Sequence, residues 1–197
     1  SFTNTYAPVD RLYNTFYPVI VRDDISGLSV ATRPDCLPDD VIELLAELNK
    51  IKPVWVELGL QTVNETTAQY IRRGYPLSVL DDAMTRLNAA GLETVVHIIL
   101  GLPGETREDM VNSARYVGQS GAKGIKLQLL HVLKSTDLYE DYKQGKFKTL
   151  ELSEYIDILI DCISVLPPDM VIHRLTGDGA KRDLVAPLWS GDKKHVL

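Results

Sequence analysis

The sequence predicts an α/β fold whose parallel strands curl into a barrel-like sheet, and three observations carry that prediction. Short runs rich in Val, Ile and Leu are apolar on nearly every residue, as expected of strands covered on both faces. Amphipathic helical segments separate them, so strand and helix alternate along the whole chain. Each strand also runs directly into a polar cluster, and the carboxyl ends of parallel strands meet on one rim, where α/β barrels place their chemistry.

The elements follow in order. The opening Ser1-Phe2-Thr3 reads as the end of a strand, and a helix covers roughly Pro8 to Val21. Strands are expected at 28–32, 54–58, 94–100, 125–130 and 170–173. From Pro38 to Lys50, Val41, Leu44, Leu45 and Leu48 share one helical face behind a proline that presets the first turn. Asn64 caps a helix expected to stop at Gly74. Ser78 with Asp81 reads as a capping box for a helix presenting Leu80, Ala83, Met84 and Leu87 and ending at Gly91. Thr106 with Asp109 does the same for Met110, Val111, Ala114 and Val117, and a last helix from Leu152 to Leu166 ends at Pro167-Pro168. Neither a linker nor an internal repeat interrupts the 197 residues, so a single domain is expected, with 170–197 an extension that closes the rim.

Composition narrows the function classes. With 21 Lys plus Arg against 27 Asp plus Glu and no basic stripe, broad phosphate-backbone binding is disfavoured, although a local basic pocket remains compatible. No apolar run approaches the roughly 20 residues that span a bilayer, and a cytoplasmic protein with no membrane partner is expected. Cys36 and Cys162 belong to no CxxC pair and read as structural thiols. Nucleophile-elbow, Walker, HExxH and GxGxxG patterns are all missing, which removes support for hydrolase, kinase and Rossmann dehydrogenase readings.

The sharpest local pattern is Ile98-Ile99-Leu100-Gly101-Leu102-Pro103-Gly104-Glu105-Thr106. It fits either a tight βα turn that needs glycine or a backbone cradle for a ligand at a helix N-terminus. In Glu57-Leu58-Gly59-Leu60-Gln61-Thr62, alternation sends Glu57 and Gly59 to one face, and Glu57 needs a cationic partner, for which Arg33 across the rim is the candidate. The Gln61 amide suits a hydroxyl or carboxylate. His97 reads as a satisfied sheet histidine, His131 stands at the rim, and His173 and Arg174 lead into a polar loop.

Taken together and in order, Phe2-Thr3-Asn4-Thr5-Tyr6-Ala7-Pro8, Thr32-Arg33-Pro34-Asp35, Glu57 to Thr62, His97 to Glu105 and Leu129-Leu130-His131-Val132-Leu133-Lys134 resemble the radical S-adenosylmethionine superfamily. The nearest likeness is to an uncharacterised subfamily related to oxygen-independent coproporphyrinogen oxidase and the elongator-type radical enzymes. His173 to Asp178 and Ala186 to Trp189 fit the same subfamily. The resemblance implies a partial TIM-like (β/α)6 barrel, reductive cleavage of S-adenosylmethionine, and a 5′-deoxyadenosyl radical that takes hydrogen from a substrate. It also implies a four-iron four-sulfur cluster on a CxxxCxxC loop after the first strand. This chain has no such loop, and the resemblance aligns Ser1 to Thr5 with the end of the second strand. The first βα unit is therefore expected to be missing, with no metal ligands in this chain, no cluster and no activity in the fragment.

The resemblance places Thr3, Asn4 and Thr5 near the methionine amine, and Arg33 at the third-strand end, where Ala31 replaces a glutamate common in relatives. Gln61 falls on the ribose and carboxylate side, with Glu57 grouped alongside. Ile99, Gly101, Leu102, Pro103 and Gly104 pack on adenine, and Leu130, His131 and Val132 read its edge. Arg174, Thr176 and Asp178 are assigned to substrate. Expected partners are a small-molecule or RNA substrate, an electron donor for the full-length enzyme, and a second copy paired through the exposed sheet edge. Two other classes fit the same residues. One is a cluster-independent barrel lyase or isomerase using His131 with Glu57 or Arg33, and the other is a non-catalytic module that binds a ligand or RNA.

Overall fold

A computed structural model describes residues 3–177, 179 and 181–192. Helix α1 (Val9–Ile20) leads into β1 (Leu28–Thr32), α2 (Asp39–Asn49), β2 (Val54–Gln61), α3 (Glu65–Tyr70) and α4 (Leu77–Ala89). There follow β3 (Glu93–Leu100), α5 (Arg107–Gln119), β4 (Gly124–Leu129), β5 (Val132–Leu133), α6 (Asp137–Lys143), α7 (Leu152–Ser164), β6 (Val171–Arg174) and β7 (Leu184–Ala186). The five strands β1-β2-β3-β4-β6 are hydrogen-bonded side by side in that order, and every pairing is parallel. Strand order that only advances has no reversal point, and a doubly wound sheet requires one. The sheet is therefore a singly wound segment of a barrel.

Alternation decides what each face does. In β2, Val54, Val56, Leu58 and Leu60 are buried, while Trp55, Glu57, Gly59 and Gln61 are partly open on the opposite face. The buried face meets the helices: Leu45 and Leu48 of α2, Leu80, Ala83 and Leu87 of α4, Ala114 and Val117 of α5, and Tyr155 and Cys162 of α7 join one core with Leu58, Ile98 and Leu127. The open face carries polar side chains, Ser29, Glu57, His97, Lys126 and Gln128, down the concave side of the sheet.

Several local details differ from the sequence expectation. Thr106 and Asp109 form the capping box as expected, and the Asn64 side chain accepts from the amides of Thr66 and Thr67. The Ser78–Asp81 box does not form: α4 begins a residue earlier at Leu77, with Pro76 at its cap. Proline in extended geometry sets that start without a side-chain acceptor. On α2, Ile42 rather than Leu44 completes the buried set. Helix α3 ends at Tyr70 because Arg72 adopts a left-handed φ of 57°, which turns Arg73 inward before Gly74 is reached. Strand β6 begins a residue later than expected. Beyond the sheet, β5 and β7 pair antiparallel, joining the end of the described chain to the rim after β4. Among the described residues no helix is long and apolar enough to cross a membrane.

Candidate functional site

The carboxyl ends of β1 to β4 surround a cavity of about 430 Å³ lined by Thr3, Arg33, Glu57, Gln61 and Ile99, together with Ala31, Gly59, Tyr75, His97 and Gln128. A larger hollow of about 820 Å³ lies outside the rim against Tyr6, Pro34, Leu37 and Val79, and its lining is mostly apolar. The smaller cavity holds the polar groups that the strands deliver, and polar groups converging in a partly apolar pocket mark a ligand site.

Backbone irregularity shapes its mouth. The β2–β3 register slips between Gly59 and Gln61, and Gln61 sits at φ 66°. A side chain in this left-handed region costs roughly 1–2 kcal/mol, so surrounding contacts must hold it. Tyr75 donates its hydroxyl to the Gly59 carbonyl, and the buried Arg73 donates to the carbonyls of Thr62 (2.7 Å) and Tyr75 (2.9 Å). Glu65 neutralises Arg73 at 2.7 Å. Burial pushes the Tyr75 phenol up to about 12, so it stays a donor at neutral pH. The acceptors around Gln61 orient its amide nitrogen toward the carbonyls of Gly59 and Leu60, leaving its oxygen as the acceptor.

The floor is a charged network. Glu57 accepts from Ser29 Oγ (2.7 Å), His97 Nε2 (2.8 Å) and Lys126 Nζ (2.5 Å). Burial opposes its charge, yet the Lys126 and Ser29 hydrogen bonds outweigh burial and bring its pKa down to about 2. Burial lowers His97 to about 4, with Lys126 adding to the shift, so the ring is neutral at physiological pH. The expected Glu57–Arg33 bridge is not formed. Arg33 instead pairs with Asp35 at 2.7 Å and lies over the Tyr75 ring, 5.6 Å from its centroid. Glu57 lies about four residues below Gln61 on the same strand, roughly 13 Å at ordinary strand rise, which is too deep to meet a rim arginine.

The remaining expected site residues divide. The Asn4 amide donates to the Ala31 carbonyl (3.0 Å), which sets the 3–5 segment beside β1 as a neighbouring strand end would be. Thr5 turns away: its hydroxyl bonds Thr32 Oγ1 and the Cys36 carbonyl, both at 2.5 Å, and it lines the outer hollow. Gly101 and Gly104 take φ of 86° and 82°. The Gly101 amide already meets Met110 Sδ at 3.0 Å, and Leu102 is buried, so Pro103 and Gly104 are the open part of that turn. Leu130 and Val132 are buried, with the Leu130 amide on the Leu100 carbonyl. The His131 ring lies under Gly177 and Gly179 and accepts from the Gly179 amide at 3.1 Å, so it anchors the loop. This removes it as a freely presented acid or base. Arg174 is in register with Lys126, the Thr176 hydroxyl stays on the neighbouring Gly177 carbonyl, and Asp178 lies outside the described residues. Lys126, Ser29, Arg73 and Tyr75 were not foreseen. Alternation alone places Lys126 and Gln128 together on the inner face of an apolar strand, and that was the available signal.

The five parallel strands advance in one direction, and their carboxyl ends share the rim on which α/β barrels place their sites. Residues 10–117 match the Radical SAM superfamily and residues 122–197 the Radical_SAM C-terminal domain, and the chain belongs to that superfamily. It is 44% identical to the Bacillus subtilis protein YtqA over all 197 residues, which make up 61% of that protein's length. Among solved structures, the Elp3 of the archaeon Methanocaldococcus infernus superposes with a TM-score of 0.73 at 24% identity, over 81% of this chain and 38% of that one. Coproporphyrinogen III oxidase from Escherichia coli superposes at 0.63 with 17% identity, over 82% and 37%. Both likenesses support the partial-barrel fold.

The superfamily's two cofactors fare differently against these residues. The cavity offers the mixture of amide, guanidinium, exposed backbone and apolar wall that an uncharged base and a zwitterionic amino acid need, so S-adenosylmethionine fits. A four-iron four-sulfur cluster does not. Cys162 is sealed in the core, Cys36 stands beside Asp35 with its thiol pushed up by burial, and the described residues contain no cluster of metal-ligating side chains.

Proposed function

We propose that this chain is the cofactor-binding core of a radical S-adenosylmethionine enzyme and that the 430 Å³ cavity receives the nucleoside. The observation that carries the reading is the braced left-handed Gln61, a strained residue at a barrel mouth held by Tyr75 and Arg73. S-adenosylmethionine supplies, on one-electron reduction, a 5′-deoxyadenosyl radical that removes hydrogen from a substrate. The chain's own residues bind and orient. Gln61 offers its amide oxygen to a ribose hydroxyl, Arg33 offers a guanidinium held by Asp35 to the amino-acid carboxylate, Thr3 with Asn4 lies on the ammonium side, and Ile99 with the Pro103–Gly104 turn packs on the base. Ligands for the cluster, and contact with an electron donor, fall to parts of the whole protein beyond these residues, so the 197-residue chain alone is inactive.

The test is anaerobic iron and sulfide reconstitution of the whole protein, with dithionite as reductant and 5′-deoxyadenosine as the product measured. Formation of 5′-deoxyadenosine, reduced at least tenfold by Gln61→Ala, is expected. A fully assembled cluster that yields none contradicts the reading. The lyase or isomerase alternative loses its base with His131 covered by the glycine loop.

A further inference from the structure

The proposed function uses the mouth of the cavity and leaves its floor unassigned. There His97 donates Nε2–H to Glu57, because an ionised carboxylate can only accept. A neutral ring with its proton on Nε2 keeps a lone pair on Nδ1. Among the described residues Nδ1 makes no hydrogen bond, and it is not sealed from the cavity that His97 lines. Gly59 stands in register beside His97, and a side chain added there would meet only the tip of Gln61, so the space beside the ring is held open. Lys126 and Ser29 saturate the rest of Glu57, which therefore serves to fix the ring rather than to bind ligand. His97 lies four residues before Gly101, roughly 13 Å below the turn assigned to the base.

We infer that His97 is the substrate-recognition residue of this barrel, its Nδ1 accepting a hydrogen bond from a hydroxyl or N–H group on the part of the substrate that enters beneath the nucleoside. Glu57 and Lys126 are positioning residues for that ring. The inference rests on the radical S-adenosylmethionine reading for the words "beneath the nucleoside", and the ligand class rests on the imidazole alone. Charged neighbours of the ring are Glu57 from β2, Lys126 from β4 and Arg174 from β6.

The experiment uses the full 197-residue chain, uniformly labelled with ¹⁵N, whose four histidines are assigned by substitution. The probes are 2,2,2-trifluoroethanol at low millimolar concentration and its methyl ether, which lacks the donor. The expected result is an Nε2–H tautomer that stays neutral from pH 8 to pH 5, with an Nδ1 resonance that moves saturably with the alcohol and not with the ether. His97→Gln should weaken alcohol binding about tenfold, the worth of one net hydrogen bond, and the tautomer measurement on the unsubstituted chain stands even if that variant fails to fold. An Nδ1–H tautomer, a midpoint near the ordinary histidine value, or an equal response to the ether overturns the inference. S-adenosylmethionine added to the same sample separates the two readings. Shifts at the Gly59 and Gln61 amides without movement of His97 Nδ1 support both. Movement of Nδ1 by the cofactor itself overturns the substrate assignment, and alcohol binding in the chain beside a whole protein that, with its cluster assembled, binds no S-adenosylmethionine by calorimetry overturns the cofactor reading while the imidazole assignment stands.

Discussion

Glu57 engages Ser29, His97 and Lys126 with its two oxygens and stays ionised, whereas Glu105, behind the Gly101–Gly104 turn, is held in the opposite state. Burial raises Glu105 to about 7, against the Thr62 hydrogen bond, and its Oε2 is buried without a partner among the described residues. A carboxyl raised from 4.5 to about 7 binds more protons folded than unfolded, so its contribution to stability is complete below pH 4.5 and is lost as pH rises through 7. Glu105→Gln should therefore match the native chain near pH 4.5 and exceed it by about 1–2 kcal/mol at pH 8, after discounting for partial exposure. Urea unfolding at the two pH values checks this. Glu57 has the reverse sign: its stabilisation is present above pH 4.5 and fades as pH falls toward 2. Gln61→Gly should relieve about 1 kcal/mol of left-handed strain and raise the melting temperature while weakening S-adenosylmethionine binding, measured by calorimetry on the whole protein. The face that Glu57 occupies was legible from alternation within one strand, but its partner was not. Lys126 lies 69 residues away on a strand whose register no local pattern specifies.

Elements whose boundaries rest on local chemistry were read closely, and those set by tertiary contacts were not. The Thr106–Asp109 box forms as spelled, and Thr106→Ala should cost about 1 kcal/mol in thermal unfolding. Helix α3 overran in the reading because Gly74 advertises a stop, while the actual stop is set by burial of Arg73, whose guanidinium bonds backbone carbonyls that only the folded β2 end provides. Arg73→Met leaves those carbonyls unpaired and Glu65 with only the Leu77 amide, and should destabilise the chain by about 3 kcal/mol. Chemical denaturation of Arg73→Lys should show most of the same loss, because a lysine cannot reproduce the forked contacts. The short β5 and β7 pair escaped the reading for a related reason, since two- and three-residue strands carry almost no periodicity.

At the scale of the whole molecule, alternating strands and helices established the α/β class, and polar clusters after each strand pointed to the rim where the proposed site lies. Barrel against open sheet was settled only by strand order, because both arrangements share the same pattern along the chain. The candidate site was legible as a rim, and its depth was not: residues two positions apart on one strand face sit roughly 7 Å apart along the strand, so mouth and floor merge in the sequence and separate in space. A structure of the whole protein with S-adenosylmethionine bound tests the account most directly. The account predicts the nucleoside in the cavity of Arg33, Gln61 and Ile99, above an unoccupied His97. A nucleoside lodged in the outer hollow beside Tyr6 and Leu37, or seated on His97, contradicts it.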